Sequence, residues 1–123
     1  MLCQTTLFMV EKISAVTLRV ADMAVSVRFY KDILGLKIVY GGEGSDFTSL
    51  RTKDGGTILN LEHGNPAIRW VRLIFHVSDV DRLWAYLVEK GFHPDRPQDA
   101  TWGERYFHMP DPDGHELSFA RPL

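Results

Sequence analysis

The sequence predicts an α+β fold of two tandem β-α-β-β-β units whose curved mixed sheets line a cleft, and three observations carry that prediction. Leu18-Arg19-Val20-Ala21-Asp22 lines up with Phe75-His76-Val77-Ser78-Asp79, each a strand end running into a helix N-cap. Gly35 answers Gly91 and Asp54-Gly55 answers Asp113-Gly114, so the helix stop and the last hairpin recur in each half. Each half also has one helical apolar stripe among alternating strand patterns. A sheet with one helix-covered face needs a second cover, from the other unit, a partner chain or a ligand.

Ile13 to Val20 alternates, with Val16, Leu18 and Val20 on one face and Ala15, Thr17 and Arg19 on the other. Asp22 caps a helix striped by Val25, Phe29, Tyr30, Ile33 and Leu34, and Gly35 ends it. Leu36 to Tyr40 and Phe47 to Arg51 follow as strands around Gly41, Gly42 and Gly44. Asp54-Gly55-Gly56 then turns the chain into a fourth strand, Thr57 to Glu62.

After Gly64-Asn65-Pro66 the order restarts. A strand over Arg69 to Val77 puts Val71, Leu73, Phe75 and Val77 on one face and Arg72, Ile74 and His76 on the other. Asp79 caps a helix striped by Val80, Leu83, Trp84, Leu87 and Val88, which Gly91 stops before a short strand at Phe92 and His93. Pro94 and Pro97 break the chain ahead of a closing hairpin from Tyr106 to Ala120. In its turn of Pro112, Asp113 and Gly114, Asp113 is expected to cap its own backbone. The units run over 13–63 and 69–120 of one domain spanning 9–123, and residues 1–8 are expected to be a disordered extension.

At 123 residues the chain can bury a core without staples, and its single cysteine, Cys3, allows no internal disulfide, which fits a cytoplasmic setting. A formal net charge of -2 makes no electrostatic case for nucleic acid or an anionic membrane. Met1 to Met9 is apolar but lacks the basic lead and cleavage site of a signal peptide. No apolar run approaches the roughly 20 residues of a membrane span.

The chain resembles the vicinal oxygen chelate superfamily, which includes glyoxalase I, bleomycin-resistance proteins and extradiol dioxygenases. The resemblance rests on Leu18-Arg19-Val20-Ala21-Asp22, Phe29-Tyr30 and Leu34-Gly35-Leu36, then on Trp102-Gly103 and Asp111-Pro112-Asp113-Gly114-His115. It implies a homodimer, with the cleft shared between chains in several relatives. It also implies that a divalent metal, where used, is held by a His early in the first strand and a Glu or another ligand on the last strand of each unit. Those positions fall on Ala15, Asn60, Arg72 and Ser118. A methyl group, a permanent cation and two neutral polar side chains make a poor donor set. No cofactor is therefore expected, and a divalent metal would need relocated ligands from Glu62, His63, His76, His108, His115 and Glu116.

Candidate ligand-binding residues are Arg72, Arg19, Asn60, Glu62, Trp102, Tyr106, His108 and Ser118, and candidate catalytic residues are His76 and Glu116. Arg72 offers a guanidinium fork to an anionic or carbonyl group, or else pairs with Glu116 or Glu62 in place of the metal. His76 has the residue type of a base near neutral pH, and Glu116 is the alternative base. Trp70 and Trp102 offer a stacking wall for a flat ligand, or core and dimer packing. The leading reading is a metal-free domain binding a small neutral or anionic organic molecule. The alternatives are a metal-dependent lyase, isomerase or dioxygenase with relocated ligands, and a metal-independent enzyme using His76 or Glu116.

Overall fold

The computed structural model describes residues 13–66 and 71–123. The expected extension 1–8, Cys3, Arg69 and Trp70 lie outside the described residues. The chain divides after Asn65 into two compact units.

The first unit runs β1 (Ala15–Val20), α1 (Met23–Val27), β2 (Lys37–Tyr40), β3 (Phe47–Arg51) and β4 (Ile58–His63). Its sheet has the order β1-β4-β3-β2, with β1 and β4 parallel and the other pairs antiparallel. Asp22 caps α1, its carboxylate accepting from the Val25 N–H at 3.2 Å. Over Arg28–Ile33 the helix widens into a π turn, in which the Leu34 N–H reaches the Phe29 carbonyl at 3.1 Å.

The buried face differs from the expected stripe. Met23, Ser26, Val27, Phe29 and Tyr30 face the core, whereas Val25 is exposed. The strand begins at Ala15 rather than Ile13, which is also exposed.

Gly41 leaves β2 with φ of 78°, and a Cβ there would press into the Phe47 carbonyl and come within 3.1 Å of Thr48 Cα. Buried Thr48 seals the same corner, its hydroxyl accepting from the Gly42 N–H and donating to the Gly42 carbonyl, both at 3.1 Å. Gly41→Ala is expected to cost about 2 kcal/mol or more in urea unfolding. A loss of only a few tenths would show that the corner yields.

The second unit runs β5 (Arg72–His76), α2 (Val80–Glu89), β6 (Gln98–Asp99), β7 (Glu104–Pro110) and β8 (Glu116–Pro122). Its sheet order, β5-β8-β7-β6, repeats the first, again with a parallel pair between first and last strands. Asp79 caps α2 through the Arg82 N–H at 3.0 Å. The helix packs on β7 and β8, burying Val80 and Leu87, with Leu83 and Trp84 half-buried and Val88 exposed against expectation. Arg105 braces it from the helix side of β7. Its guanidinium grips the Asp81 carboxylate at 2.8 and 2.9 Å and reaches Asp99 at 2.9 Å. The hydrogen bonds from Arg105 hold the Asp81 carboxyl below its usual range.

The strand expected at Phe92 and His93 is absent. The Phe92 N–H is drawn to the Leu87 carbonyl and the Gly91 N–H to Val88, both at 3.0 Å, with Gly91 at φ of 92°. This is a Schellman closure of α2. The strand next to β7 is instead the two-residue β6, beyond Pro94 and Pro97.

Phe75, Phe119 and Phe107 form one rung across β5, β8 and β7, with ring centroids 5.7 and 5.1 Å apart. In the closing turn the capping carboxylate is Asp111 rather than Asp113. Buried Asp111 accepts from the Asp113 and His115 N–H groups at 2.9 Å each, and its own N–H reaches the His115 carbonyl at 2.8 Å.

Candidate functional site

Strand alternation turns a defined set of side chains to the face of each sheet opposite its core residues. In the first unit, register places Thr17, Asn60 and Ser49 in one row and Arg19, Glu62 and Phe47 in the next. The Asn60 amide accepts from the Ser49 hydroxyl at 2.6 Å and donates to Thr17 at 3.3 Å. Arg19 pairs with Glu62 at 3.2 Å. These contacts satisfy a solvated face by local pairing.

The second unit gathers more chemistry. Its rows are Arg72, Glu116 and Pro110, then Ile74, Ser118 and His108, then His76, Ala120 and Tyr106. Arg72 Nε donates to Glu116 Oε2 at 2.6 Å, and the other oxygen of Glu116 lies 3.7 Å from His108 Nδ1. The His108 ring sits 5.1 Å from Tyr106, and Tyr106 stacks on Trp102 at 5.5 Å and 29°. Gln98 holds the Tyr106 hydroxyl through a 2.9 Å hydrogen bond from its amide.

Glu104 closes the far end. One of its oxygens accepts from Trp102 Nε1 at 2.9 Å, and the other lies 3.5 Å from His76 Nε2. The result is a continuous row of polar and aromatic side chains from Arg72 to His76. Ile74 is exposed beside it, and Ser118, only 5% exposed, lies low between Ile74 and His108.

Of the sequence candidates, Arg72, His76, Trp102, Tyr106, His108, Glu116 and Ser118 therefore share one face. Arg19, Asn60 and Glu62 share the corresponding face of the first unit. Sequence reasoning missed Glu104 and Gln98. Carrying the Tyr106 and His108 alternation back one pleat would have found Glu104, since β7 starts there. Gln98 had no such signal, because its strand is two residues long.

Two contrasts decide what this face can do. His76 is 67% exposed in its side chain and His108 only 25%, so His108 is the imidazole sheltered from water. Trp102 is 66% exposed while stacking on Tyr106, so much of its aromatic surface meets solvent.

The positions that carry metal ligands in metal-dependent relatives do not fit a divalent ion here. Arg72 brings a positive charge and is engaged with Glu116, Asn60 is engaged with Ser49 and Thr17, and Ala15 has no donor. Of the relocation candidates, His108 and Glu116 lie together, while Glu62 pairs with Arg19 and His76 with Glu104. Among the described residues no group of three or more His, Cys, Asp or Glu could hold a metal. No described helix is long and apolar enough to cross a membrane.

Comparison with known proteins places these features in a family. A protein of Staphylococcus epidermidis described as metallothiol transferase FosB is 29% identical over 119 residues, covering 89% of this chain and 82% of that protein. The structure of TnmS3, an antibiotic binding protein from Streptomyces sp. CB03234, superposes with a TM-score of 0.80 at 25% identity, covering 93% of this chain and 98% of that one. A structure described as a possible glyoxalase from Bacillus cereus gives a TM-score of 0.76 at 25% identity, over 91% and 100% of the two chains. The family model described as Glyoxalase/Bleomycin resistance protein/Dioxygenase superfamily matches residues 12–119. Matched over nearly all of its length, the chain belongs to that superfamily.

Proposed function

We propose that this chain is a binding member of the superfamily, holding a small neutral or anionic organic molecule against the open face of its second sheet without the usual divalent metal. The observation that carries the reading is the 2.6 Å pair between Arg72 and Glu116. A guanidinium at a customary metal-ligand position repels a divalent ion, while its fork suits a carbonyl or anionic oxygen. The exposed Trp102 ring, backed by Tyr106, suits the flat part of such a molecule. The likeness to an antibiotic binding protein at 25% identity supports the same reading.

A second reading has one observation behind it. The 29% identity to a metallothiol transferase favours a metal-dependent transfer reaction, with ligands at positions other than the usual ones.

One experiment separates them. Protein purified without added metal is assayed for bound metal and then melted with Ni, Zn, Fe(II) and Mn. A resident metal at about a hundred times its Kd adds about 2.7 kcal/mol of stability. The binding reading expects no stoichiometric metal and no saturable rise in melting temperature. Either one appearing would sink it in favour of the transferase.

A further inference from the structure

On the binding reading just given, the floor of the second sheet's open face narrows the ligand's chemistry. Ser118 lies there. Its neighbours along β8, Leu117 and Phe119, are core residues, so strand alternation turns the Ser118 side chain to the opposite face. On that face Ile74 and His108 flank it across the strands, and the residue is only 5% exposed.

The other polar side chains of this face already have partners. Arg72 and His108 meet Glu116, His76 and Trp102 meet Glu104, and Tyr106 meets Gln98. Among the described residues the Ser118 hydroxyl has none. The equivalent row of the first sheet is closed, with Asn60 bonded to both Ser49 and Thr17. In the second sheet Ile74 stands where Thr17 would, with no polar atom to offer. Among the described residues, the side-chain polar atom that is both sealed and unbonded is the Trp84 indole nitrogen on α2, so the Ser118 oxygen keeps a path to solvent. Burying a hydroxyl without a partner is unfavourable, and here the partner has to come from outside the chain.

Width and charge set what fits. The hydroxyl lies low between two larger side chains, which admits a group one atom wide. A carboxylate is broader, and a full charge brought down to one neutral donor loses more hydration than a single hydrogen bond restores. A ligand hydroxyl brings a proton that Ile74 cannot accept. A neutral carbonyl has one oxygen, no proton, and lone pairs for the Ser118 O–H.

We infer that Ser118 is a specificity-determining residue of this face, its hydroxyl donating to a neutral carbonyl oxygen of the ligand, of the ketone or amide class. Arg72 stays on Glu116 one row away, and no proton changes hands.

The probes are fluorenone, a flat neutral ketone, and fluorene, the same ring system without the oxygen. Equilibrium dialysis of the full chain measures the affinity of both for wild type and for Ser118→Ala, which removes one oxygen and little volume. The preference for fluorenone over fluorene should fall about fivefold in S118A, as expected for one neutral hydrogen bond. A Ser118 that merely packs would weaken ketone and hydrocarbon alike and leave the preference in place.

The infrared carbonyl stretch of fluorenone bound to wild type is independent of any variant's folding. It should form one narrow band below its position in dry hydrocarbon, distinct from the broad band in water. A band at the hydrocarbon or the aqueous position, or an unchanged preference in folded S118A, would overturn the inference and leave the binding reading standing. Absence of binding by both compounds would overturn both for flat neutral ligands.

Discussion

Phe107→Ala is expected to lower the unfolding free energy by about 3–5 kcal/mol, the usual cost of deleting a fully buried phenyl group. Phe107 is 1% exposed and packs 5.1 Å from Phe119, which in turn stacks on Phe75. These rings span three adjacent strands of the second unit, so the cavity opens inside the sheet's core rather than at its margin. Denaturant titration followed by circular dichroism measures the effect. A loss below about 1.5 kcal/mol would mean that the neighbouring rings collapse into the space. Phe107→Leu should cost less than half as much, because most of the volume remains.

Asp111→Ala is expected to cost about 2–4 kcal/mol by the same measurement, since two backbone N–H groups lose a charged acceptor beside a buried site. Asp111→Asn retains an acceptor oxygen and should lose less than half of that. Equal losses from the two substitutions would show that charge, and not hydrogen-bond geometry, holds the turn. The effect also reaches the face proposed to hold a ligand. Asp111 sits where β7 passes into β8, the strands that carry His108 and Glu116. Loosening the turn should therefore widen the spread of distances between those two side chains.

Most of the fold was legible because strand alternation and helix caps are local. Leu18 and Val20 turned inward and Arg19 outward as their spacing required, and Asp22 and Asp79 capped the helices they precede. Misreadings arose where a local pattern had two outcomes. Phe92 and His93 look like strand residues after a helix stop, yet the backbone N–H of Phe92 is spent on closing the helix. Val25 fits one α-helical stripe, but the buried residues Met23, Ser26, Val27 and Tyr30 keep the same spacing one step around the helix. The Asp111 cap was hidden because Asp111 and Asp113 are both plausible turn acceptors, and only the backbone path selects between them.

The candidate face was legible residue by residue but not as an ensemble. Alternation assigned Arg72, His76, Glu116 and Ser118 to one side without stating which rows they share. Register supplies that: Glu116 lies opposite Arg72, and His108 lies opposite Ser118. One carboxylate can therefore serve a guanidinium on one neighbouring strand and an imidazole on the other.

In both units the first strand lies parallel to the last, with Arg19 and Glu62 meeting across 43 residues and Arg72 and Glu116 across 44. Hairpins such as β7–β8 can close on a microsecond scale, but a loop of that span carries a closure entropy on the order of 3 kcal/mol before any contact repays it. The entropic barrier to assembling each unit thus sits at the seam between its first and last strands, and in the second unit that seam is where Arg72 finds Glu116. A chain that has formed its hairpin but not the seam has a helix and turns in place and lacks the Arg72–Glu116 pair.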